Sequence, residues 1–589
     1  MSIKTHRNRD QRRIRSQWSV RRFRAGSPEG PASVEFSFPT EGGGASKIRI
    51  AHKELRHDRT LMDLFADRLP IFPSKVGPSD ASQLQFIRDL VTSYKRLFEL
   101  IPDRTGFIGL NGFATYTEIV YADGRRQPIP QTHLLEQQLF TDVKGTRKGT
   151  NKILKLARHS TYLAFGFGVA LACPLPSYLK LHPNRANEET AHLTETGVFN
   201  FSGRSSSGKS SVILAAMSLA GSPGRAGTLD VSTRGLAEMA SDSNDMLLGL
   251  DDTEKAEDGV LVSTLKKLVH TVPGGRSKRI SRGVDQSRFP LLYWSTFGLC
   301  SSPNPISTLA MENGWDMTPG DKVRLFDIRV PRSSKGGIFD LIAGTPTERA
   351  KRSVKLIKDL ERGYQNHHGH VVSDWALYLM AKDRSKQILK LVNEFVEYVG
   401  AKHDGWETRF AQKFGYIYAA MMMGIKAGLL PWPDSFPLQV VTRCYRKARR
   451  SAKTAKEQAI EAAAKLHRLV LNEDRVVDAP SAKGHNTAIK ITKRSIAIRY
   501  RKNGRRKFGV LDDALLKLLG SPKAKAAFMK FLATTGLLRG GHGHAGTIQE
   551  HFKNKRDGKL HDSVRVWCID SKEFSRFLKR KQINLQTAR

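Results

Sequence analysis

The residues best able to do chemistry lie in one short run, GRSSSGKS, from Gly203 to Ser210. Gly203 and Gly208 let the backbone bend so that successive N–H groups point at phosphate oxygens, and a helix starting behind the loop adds its positive end. At this spacing Lys209 reaches the β and γ phosphates and the Ser210 hydroxyl holds Mg²⁺. Arg204, Ser205, Ser206 and Ser207 fill the loop and Ser211 follows it, so Gly203 to Ser211 are the expected contacts to ATP. Further on, DMLLGLDDTE (Asp245 to Glu254) sets an apolar run directly before two aspartates. A buried strand ending there carries Asp251 to the Ser210-bound Mg²⁺, while Asp252 polarises an attacking water, with Glu254 in reserve. The run FPLLYWSTFGLCSS (Phe289 to Ser302) offers hydroxyls for a position beside the γ-phosphate, Thr296 ahead of Ser295. Buried hydroxyls of an ordinary core strand fit the same residues. In PGDKVRLFDIRVP (Pro319 to Pro331), Arg324 stands on a strand leaving the core, where a guanidinium stabilises charge on the transferring phosphoryl group across a subunit boundary. A structural salt bridge is the alternative, and Arg329 has the lesser claim.

These residues need elements to position them. A strand-like lead-in, Val198 to Phe201, precedes the loop, and a helix begins near Lys209. From about 151 to 335 apolar strands alternate with helices, the α/β pattern of a P-loop core whose mostly parallel sheet is covered on both faces. Residues 1–45 read as a basic arm whose Pro/Gly/Ser-rich end cannot bury much apolar surface and is expected to be disordered. Residues 46–150, with a turn at Asp123-Gly124, read as a small α+β domain. After PRSSKGG (Pro331 to Gly337) the pattern turns helical, giving a helical subdomain over 336–435. Residues 436–589 read as a basic helical segment followed by a compact, winged-helix-like α+β module. The apolar run Tyr162 to Pro174 is too short to span a bilayer and reads as a buried helix.

Charge points to the partner. The 589 residues carry 97 Lys and Arg against 56 Asp and Glu, a formal balance of +41. Such a chain attracts a polyanion, nucleic acid through counterion release or, as the competing choice, an anionic membrane surface. In VPGGRSKRISRG (Val272 to Gly283), Arg276, Lys278, Arg279 and Arg282 flank a Gly-Gly turn and suit a grip on single-stranded DNA threaded through a channel. A solvated charged surface is the plainer alternative. RYRKNGRRKF (Arg499 to Phe508) and FKNKRDGK (Phe552 to Lys559) mix basic and aromatic residues as nucleic-acid surfaces do, with unordered tails as the alternative. NHHGH (Asn366 to His370) and HGH (His542 to His544) lack carboxylate or cysteine partners at ligand spacing and read as loops. Cys173, Cys300, Cys444 and Cys568 are too scattered for a zinc site or disulfide framework and read as reduced, structural thiols. With no apolar stretch resembling a secretory signal, a cytoplasmic protein is expected, an Arg-rich mitochondrial presequence being the lesser alternative.

Taken in order, GRSSSGKSS, the LLGLDD strand, the GGRSKRISRG loop, LLYWST, GDKVRLFDI, the helical RFAQKFGYIYAAMMMGIKAGLLPWP and FLATTGLLRG resemble the bacterial and phage family known as domain of unknown function 927. The resemblance spans roughly residues 100 to 570. It implies a helicase-like, AAA+-type motor of phages, plasmids and genomic islands, hexameric, that translocates on or unwinds DNA, with a replication partner in prospect. It also implies nucleotide and Mg²⁺ roles for Lys209 and Ser210, the metal for Asp251, and a finger or sensor role for Arg324. The family commonly shows Asp-Glu where this chain has Asp251-Asp252. That departure resembles the paired aspartates of superfamily 3 viral helicases and leaves the activating acid open between Asp252 and Glu254. Two other functions fit the same residues: an ATPase for loading, transposition or packaging without unwinding, and a nucleic-acid-binding scaffold that uses nucleotide as a switch without hydrolysing it.

Overall fold

The computed structural model describes residues 18–25, 32–41, 45–66, 69–93, 99–102, 104–129, 141–182, 195–251, 261–278, 291–313, 315, 317–401, 405–452, 455–479, 488–489, 491–492, 494–502, 505–519, 522–538, 552–556, 559–564 and 566–580. Contacts divide the chain into two units, Met1–Ala452 and Lys453–Arg589.

The first unit opens with four strands, β1 (Ser19–Ala25), β2 (Ala32–Pro39), β3 (Ala45–Ala51) and β4 (Glu99–Ile101), in the order β3-β2-β1-β4. Along β2 every second residue turns inward, and Val34, Phe36 and Phe38 are buried with Leu61, Phe65, Leu84 and Ile87 of two covering helices. The expectation that residues 1–45 bury little is corrected over their described part. The period-two alternation of β1 and β2 is short and broken by turn residues, and their partners β3 and β4 lie beyond the arm. A small antiparallel meander follows, β5 (Gly106–Phe107), β6 (Gly112–Ala114), β7 (Glu118–Tyr121) and β8 (Arg126–Pro128). Its last turn is the expected Asp123-Gly124, with Gly124 at φ 84° and the Arg125 N–H donating to the Asp123 carboxylate at 2.9 Å.

The central sheet consists of β9 (Val198–Ser202), β10 (Leu248–Leu250), β11 (Gly298–Ser302) and β12 (Leu325–Arg329), all parallel, in the order β10-β11-β9-β12. This is an α/β core built on a parallel sheet. Alternation again decides the layers. Phe199, Phe201, Leu299, Phe326 and Ile328 share one core with the helices Thr161–Ala172, Lys209–Met217 and Gly405–Lys426. Val198, Leu248, Leu250, Cys300 and Leu325 share another with Thr233–Asp242, Leu261–Thr271 and Ile306–Glu312. The Thr161–Ala172 helix is buried along its whole length; taken with the short helix after it, the stretch Thr161–Lys180 is longer than the apolar run alone and passes by length and composition as a membrane span, yet 94% of its apolar window is buried inside the fold. The helices Pro346–Asn366, Val372–Met380, Ser385–Tyr398 and Gly405–Lys426 fill the stretch read as helical. The helix Phe436–Ser451, grouped in the sequence reading with the C-terminal module, instead buries Val440, Val441, Cys444 and Tyr445 in the first unit. Its basic residues occupy the opposite side of an amphipathic helix, which composition alone does not separate from a basic tail.

The second unit pairs β13 (Val476–Asp478), β15 (Ala497–Lys502), β16 (Arg505–Leu511) and β19 (Val566–Asp570) in the order β13-β15-β16-β19. A three-stranded sheet holds β14 (Ala488–Ile489), β17 (Phe552–Arg556) and β18 (Lys559–Val564). The helices Ala455–Val470, Asp512–Leu519, Pro522–Thr534 and Ser571–Arg580 belong to the same unit, whose core gathers Ala463, Leu466, Leu515, Phe528, Leu532 and Phe574.

One buried carboxylate docks the meander to the central sheet. Asp245, at φ 56° just before β10, accepts from the Phe107 N–H at 3.0 Å, while Thr105 and Asn244 exchange further bonds beside it. Burial pushes its carboxyl up to about 6, against hydrogen bonds from Ser177 and Phe107 and the charges of Arg104 and Lys180. The folded-state value exceeds the unfolded one near 4, so this contribution is present in full below pH ~4 and is lost as pH rises through about 6. At neutral pH the cost is on the order of 3 kcal/mol. Asp245→Asn is therefore expected to match wild type in Tm near pH ~4, to gain on it progressively as pH rises to about 6, and to hold that gain toward pH ~8; parallel Tm curves for the two proteins across the acid range would contradict the assignment.

Candidate functional site

The chain places its phosphate-type loop where the parallel sheet reverses its order of winding. After β9 it moves two positions over to β10, returns to fill the gap with β11, and then crosses to β12 on the far side of β9. Crevices at the carboxyl ends of strands flanking such a switch point are where open α/β sheets bind ligands. The loop runs from β9 into the Lys209–Met217 helix, with Gly208 left-handed at φ 88° and Ser206 held at φ 61°. Left-handed backbone at a non-glycine residue marks a segment held by its surroundings. Part of that hold comes from the segment after β12. The Ile338 N–H donates to the Ser207 carbonyl at 3.0 Å, and a Cβ on Gly337, itself at φ 58°, would stand 2.7 Å from the same oxygen. A Cβ on Gly203 would meet the Val330 carbonyl at 3.0 Å.

Within the loop, the buried Lys209 ammonium donates to the carbonyls of Gly203 at 2.7 Å and Arg204 at 3.0 Å, which holds it across the loop mouth. The Ser210 hydroxyl donates to Asp251 Oδ1 at 2.8 Å, and the Ser301 hydroxyl of β11 donates to the same oxygen at 2.9 Å. On the next helical position, Ser211 donates to Glu361 Oε1 at 2.9 Å. Ser205 to Ser211, Asp251, Ser301, Ile357 and Glu361 line a cleft of about 480 Å³, within the roughly 300–1,000 Å³ range of small-molecule sites. A hydroxyl and a carboxylate already within hydrogen-bond distance are hard oxygen donors, and they fit Mg²⁺ beside bound phosphates.

Behind the cleft a buried polar network crosses three strands at one level. Asn200 of β9 donates to Asp327 of β12 at 2.6 Å and lies 2.8 Å from the Ser302 hydroxyl of β11. Asp327 also accepts from the Ile306 and Ser307 N–H groups, both at 2.9 Å, and so receives the start of the Ile306–Glu312 helix.

The sequence-derived candidates divide into two groups. Ser205 to Ser211 and Asp251 come together at the cleft, and Gly203 and Arg204 reach it through their carbonyls, which accept from Lys209; Asp252, Glu254, Arg279 and Arg282 lie outside the described residues. The structure does not bring Thr296 there. It precedes β11, is fully buried, and donates to the Met246 and Phe297 carbonyls at the opposite end of the sheet, the role of a core hydroxyl. Ser295 sits beside it, its N–H donating to Asn244 at 2.8 Å. The hydroxyl that reaches Asp251 is Ser301, in the same apolar run, and the run's period-two pattern does not reveal at which end the strand meets the loop. Arg324 also lies at the far end, where β12 begins, roughly 16 Å along the strand from the level of Arg329. It is half-buried near the buried Lys413, and among the described residues no acidic side chain pairs with it. Arg329, beside Ser202 at the cleft end, is exposed.

Arg276 and Lys278 are exposed on one arm of a hairpin-like ladder at that far end. Arg276 bridges Tyr293, the Ser277 N–H donates to Leu292 at 2.9 Å, and the Trp294 N–H donates to Gly275 at 3.0 Å. Tyr293 is exposed, and Arg104 donates to its carbonyl at 2.7 Å. His367, His368 and His370 stitch their loop to residues 141–146: the Thr146 N–H donates to His367, and His368 and His370 bond the Thr141 and Lys144 carbonyls. All four cysteines are buried and unbridged.

Residues 77–283 match the model of the family described as Domain of unknown function (DUF927), which supports the resemblance over the stretch holding the loop and Asp251. A solved structure described as "SCCmec type IV Cch - active helicase" superimposes with a TM-score of 0.53 at 14% identity, covering 96% of this chain and 95% of that one. At that identity the likeness speaks for the fold. No curated protein matches.

The two hydroxyls are separable by mutation. Thr296→Ala leaves the buried Met246 carbonyl without its partner and is expected to cost about 1–3 kcal/mol in unfolding while nucleotide turnover stays within about twofold. Ser301→Ala is expected to lower turnover about tenfold or more, with Tm little changed. Steady-state hydrolysis and thermal denaturation of both variants check this, and the reverse pattern would return Thr296 to the site.

Proposed function

We propose that this chain is an ATP-dependent motor on nucleic acid, a helicase or translocase of a mobile element. The observation that carries the reading is the joint hold of Ser210 and Ser301 on Asp251 at the mouth of a glycine-bent loop. A loop lysine, a loop serine and a strand-end carboxylate in that arrangement are the parts phosphoryl transfer from ATP requires. The interposed strand β11, which sets Ser301 between the loop strand and the Asp251 strand, supports an AAA+-type core.

In this reading Lys209 exchanges its loop carbonyls for β and γ phosphate oxygens, and the loop N–H groups with the helix start hold the remaining charge. Ser210 and Asp251 would hold Mg²⁺, which when bound neutralises charge on the transferring phosphoryl group. Asp252, with Glu254 as the alternative, takes the proton from the attacking water, and Ser301 keeps Asp251 aligned. Arg324, far from its own cleft, serves a neighbouring subunit's cleft in a homo-oligomer, for which the resemblance suggests a hexamer. Tyr293 among Arg104, Arg276 and Lys278 suits single-stranded DNA, a base stacking on the ring and phosphates meeting the cations; Arg279 and Arg282, next in the sequence, are candidates for the same grip. The second unit, winged-helix-like in its mix of helices and a small sheet, adds a further basic surface. The helicase label of the superimposed structure supports unwinding as the output.

Steady-state ATP hydrolysis with and without single-stranded DNA tests this. Turnover is expected to rise with DNA, to fall at least about a hundredfold in Lys209→Ala, and to keep its basal rate but lose most DNA stimulation in Tyr293→Ala. A wild type that binds ATP and DNA without turnover, at concentrations where subunits assemble, overturns the motor in favour of a nucleotide-switched scaffold. Turnover without strand separation on a forked duplex favours loading or packaging.

A further inference from the structure

We propose that Glu361 reads the ribose of the bound nucleotide. The inference rests on the cleft being an ATP site and adds which end of the nucleotide the helical stretch recognises. Glu361 and Ile357 are four residues apart on the Pro346–Asn366 helix, hence on one face, and both line the cleft.

Their place along the nucleotide follows from the loop helix. Ser210 and Ser211 are consecutive, so their side chains leave the helix about 100° apart. Ser210 turns to Asp251, at the metal and γ-phosphate end. Ser211 turns to Glu361, about 100° round the helix start; on this reading the sugar of a nucleotide cradled by the loop lies on that flank.

Chemistry narrows the partner. A carboxylate beside a triphosphate is repelled unless it meets a cation or hydrogen-bond donors. Asp251 has the metal position; Glu361 has the Ser211 hydroxyl as its described partner and keeps acceptor capacity to spare. Vicinal ribose hydroxyls are donors suited to an acceptor-only carboxylate, as in dinucleotide-binding folds where an acid takes the ribose 2′-OH.

The wall is also fixed against the loop. A Cβ on Gly208 would stand 3.3 Å from Ile357 Cδ1, and the Ser353 hydroxyl donates to Gly336 at 2.7 Å, tying the helix to the segment that packs on Ser207. Glu361 therefore keeps one distance from the phosphate loop, as a specificity contact requires.

The test compares MgATP, Mg-2′-deoxy-ATP and Mg-3′-deoxy-ATP as substrates of full-length wild type, Glu361→Ala and Glu361→Gln, with Tm as a check on folding. Wild type is expected to show a KM about tenfold lower for ATP than for at least one deoxy analogue. Glu361→Ala should raise KM for ATP to the analogue's level with kcat within about twofold, and Glu361→Gln, a neutral acceptor, should keep an intermediate preference. A wild type indifferent to both sugars overturns the inference and leaves the ATPase intact. So does a Glu361→Ala variant that loses kcat equally on all three while keeping the sugar preference, which would place Glu361 with the metal or water. A wild type that binds none of the three overturns the ATP site itself.

Discussion

Everything at the site depends on one carboxylate oxygen accepting two hydroxyls from different elements. Asp251 Oδ1 takes Ser210 from the loop helix and Ser301 from β11, and both bonds are under 3 Å. That is feasible only if β9, β10 and β11 end at a common level, with β11 lying between the other two. The parallel registers Gly298 with Val198 and Leu248 with Gly298 set that level. A shift of one residue in either pairing would turn the whole strand over, exposing Leu250 or Ser301 to the wrong layer, so hydrophobic burial on both faces enforces the alignment the chemistry needs.

The polar network behind the cleft extends the same constraint sideways. Asn200 joins Asp327 and Ser302 inside a layer that is otherwise apolar, and Asp327 receives the first N–H groups of the Ile306–Glu312 helix. Leaving any of these buried groups unpaired costs roughly 1–3 kcal/mol, so they hold together or fail together. The end of β11 that carries Ser301 is thereby coupled to β12 and to the helix between them, a physical route from the cleft to the strand on which Arg324 begins the far edge.

The stretch after β12 does more than link two halves. Gly336 and Gly337 adopt left-handed backbone, which lets the chain lie close against Ser207 and places Ile338 to bond its carbonyl. The Pro346–Asn366 helix then returns to the cleft with Ile357 and Glu361, so the glycine-bent loop and the helical stretch form one pocket. A segment that reads as a Pro/Ser/Gly-rich boundary is, in three dimensions, part of the wall.

By itself the sequence determined the local chemistry: a glycine-bent loop opening a helix, an apolar strand ending in acids, a buried apolar helix, the Asp123-Gly124 turn and a strongly basic surface. These are legible because each is written in contiguous residues whose backbone preferences and periodicity act over a few positions. Tertiary structure alone decided which end of each strand meets the loop. That choice replaced Thr296 with Ser301, set Arg324 away from its own cleft, drew Glu361 in from a distant helix, and recruited β1, β2 and the Phe436–Ser451 helix into the first unit. Apolar alternation specifies which faces are buried but carries no information on strand direction or order, and those are settled by long-range packing between segments far apart in the chain.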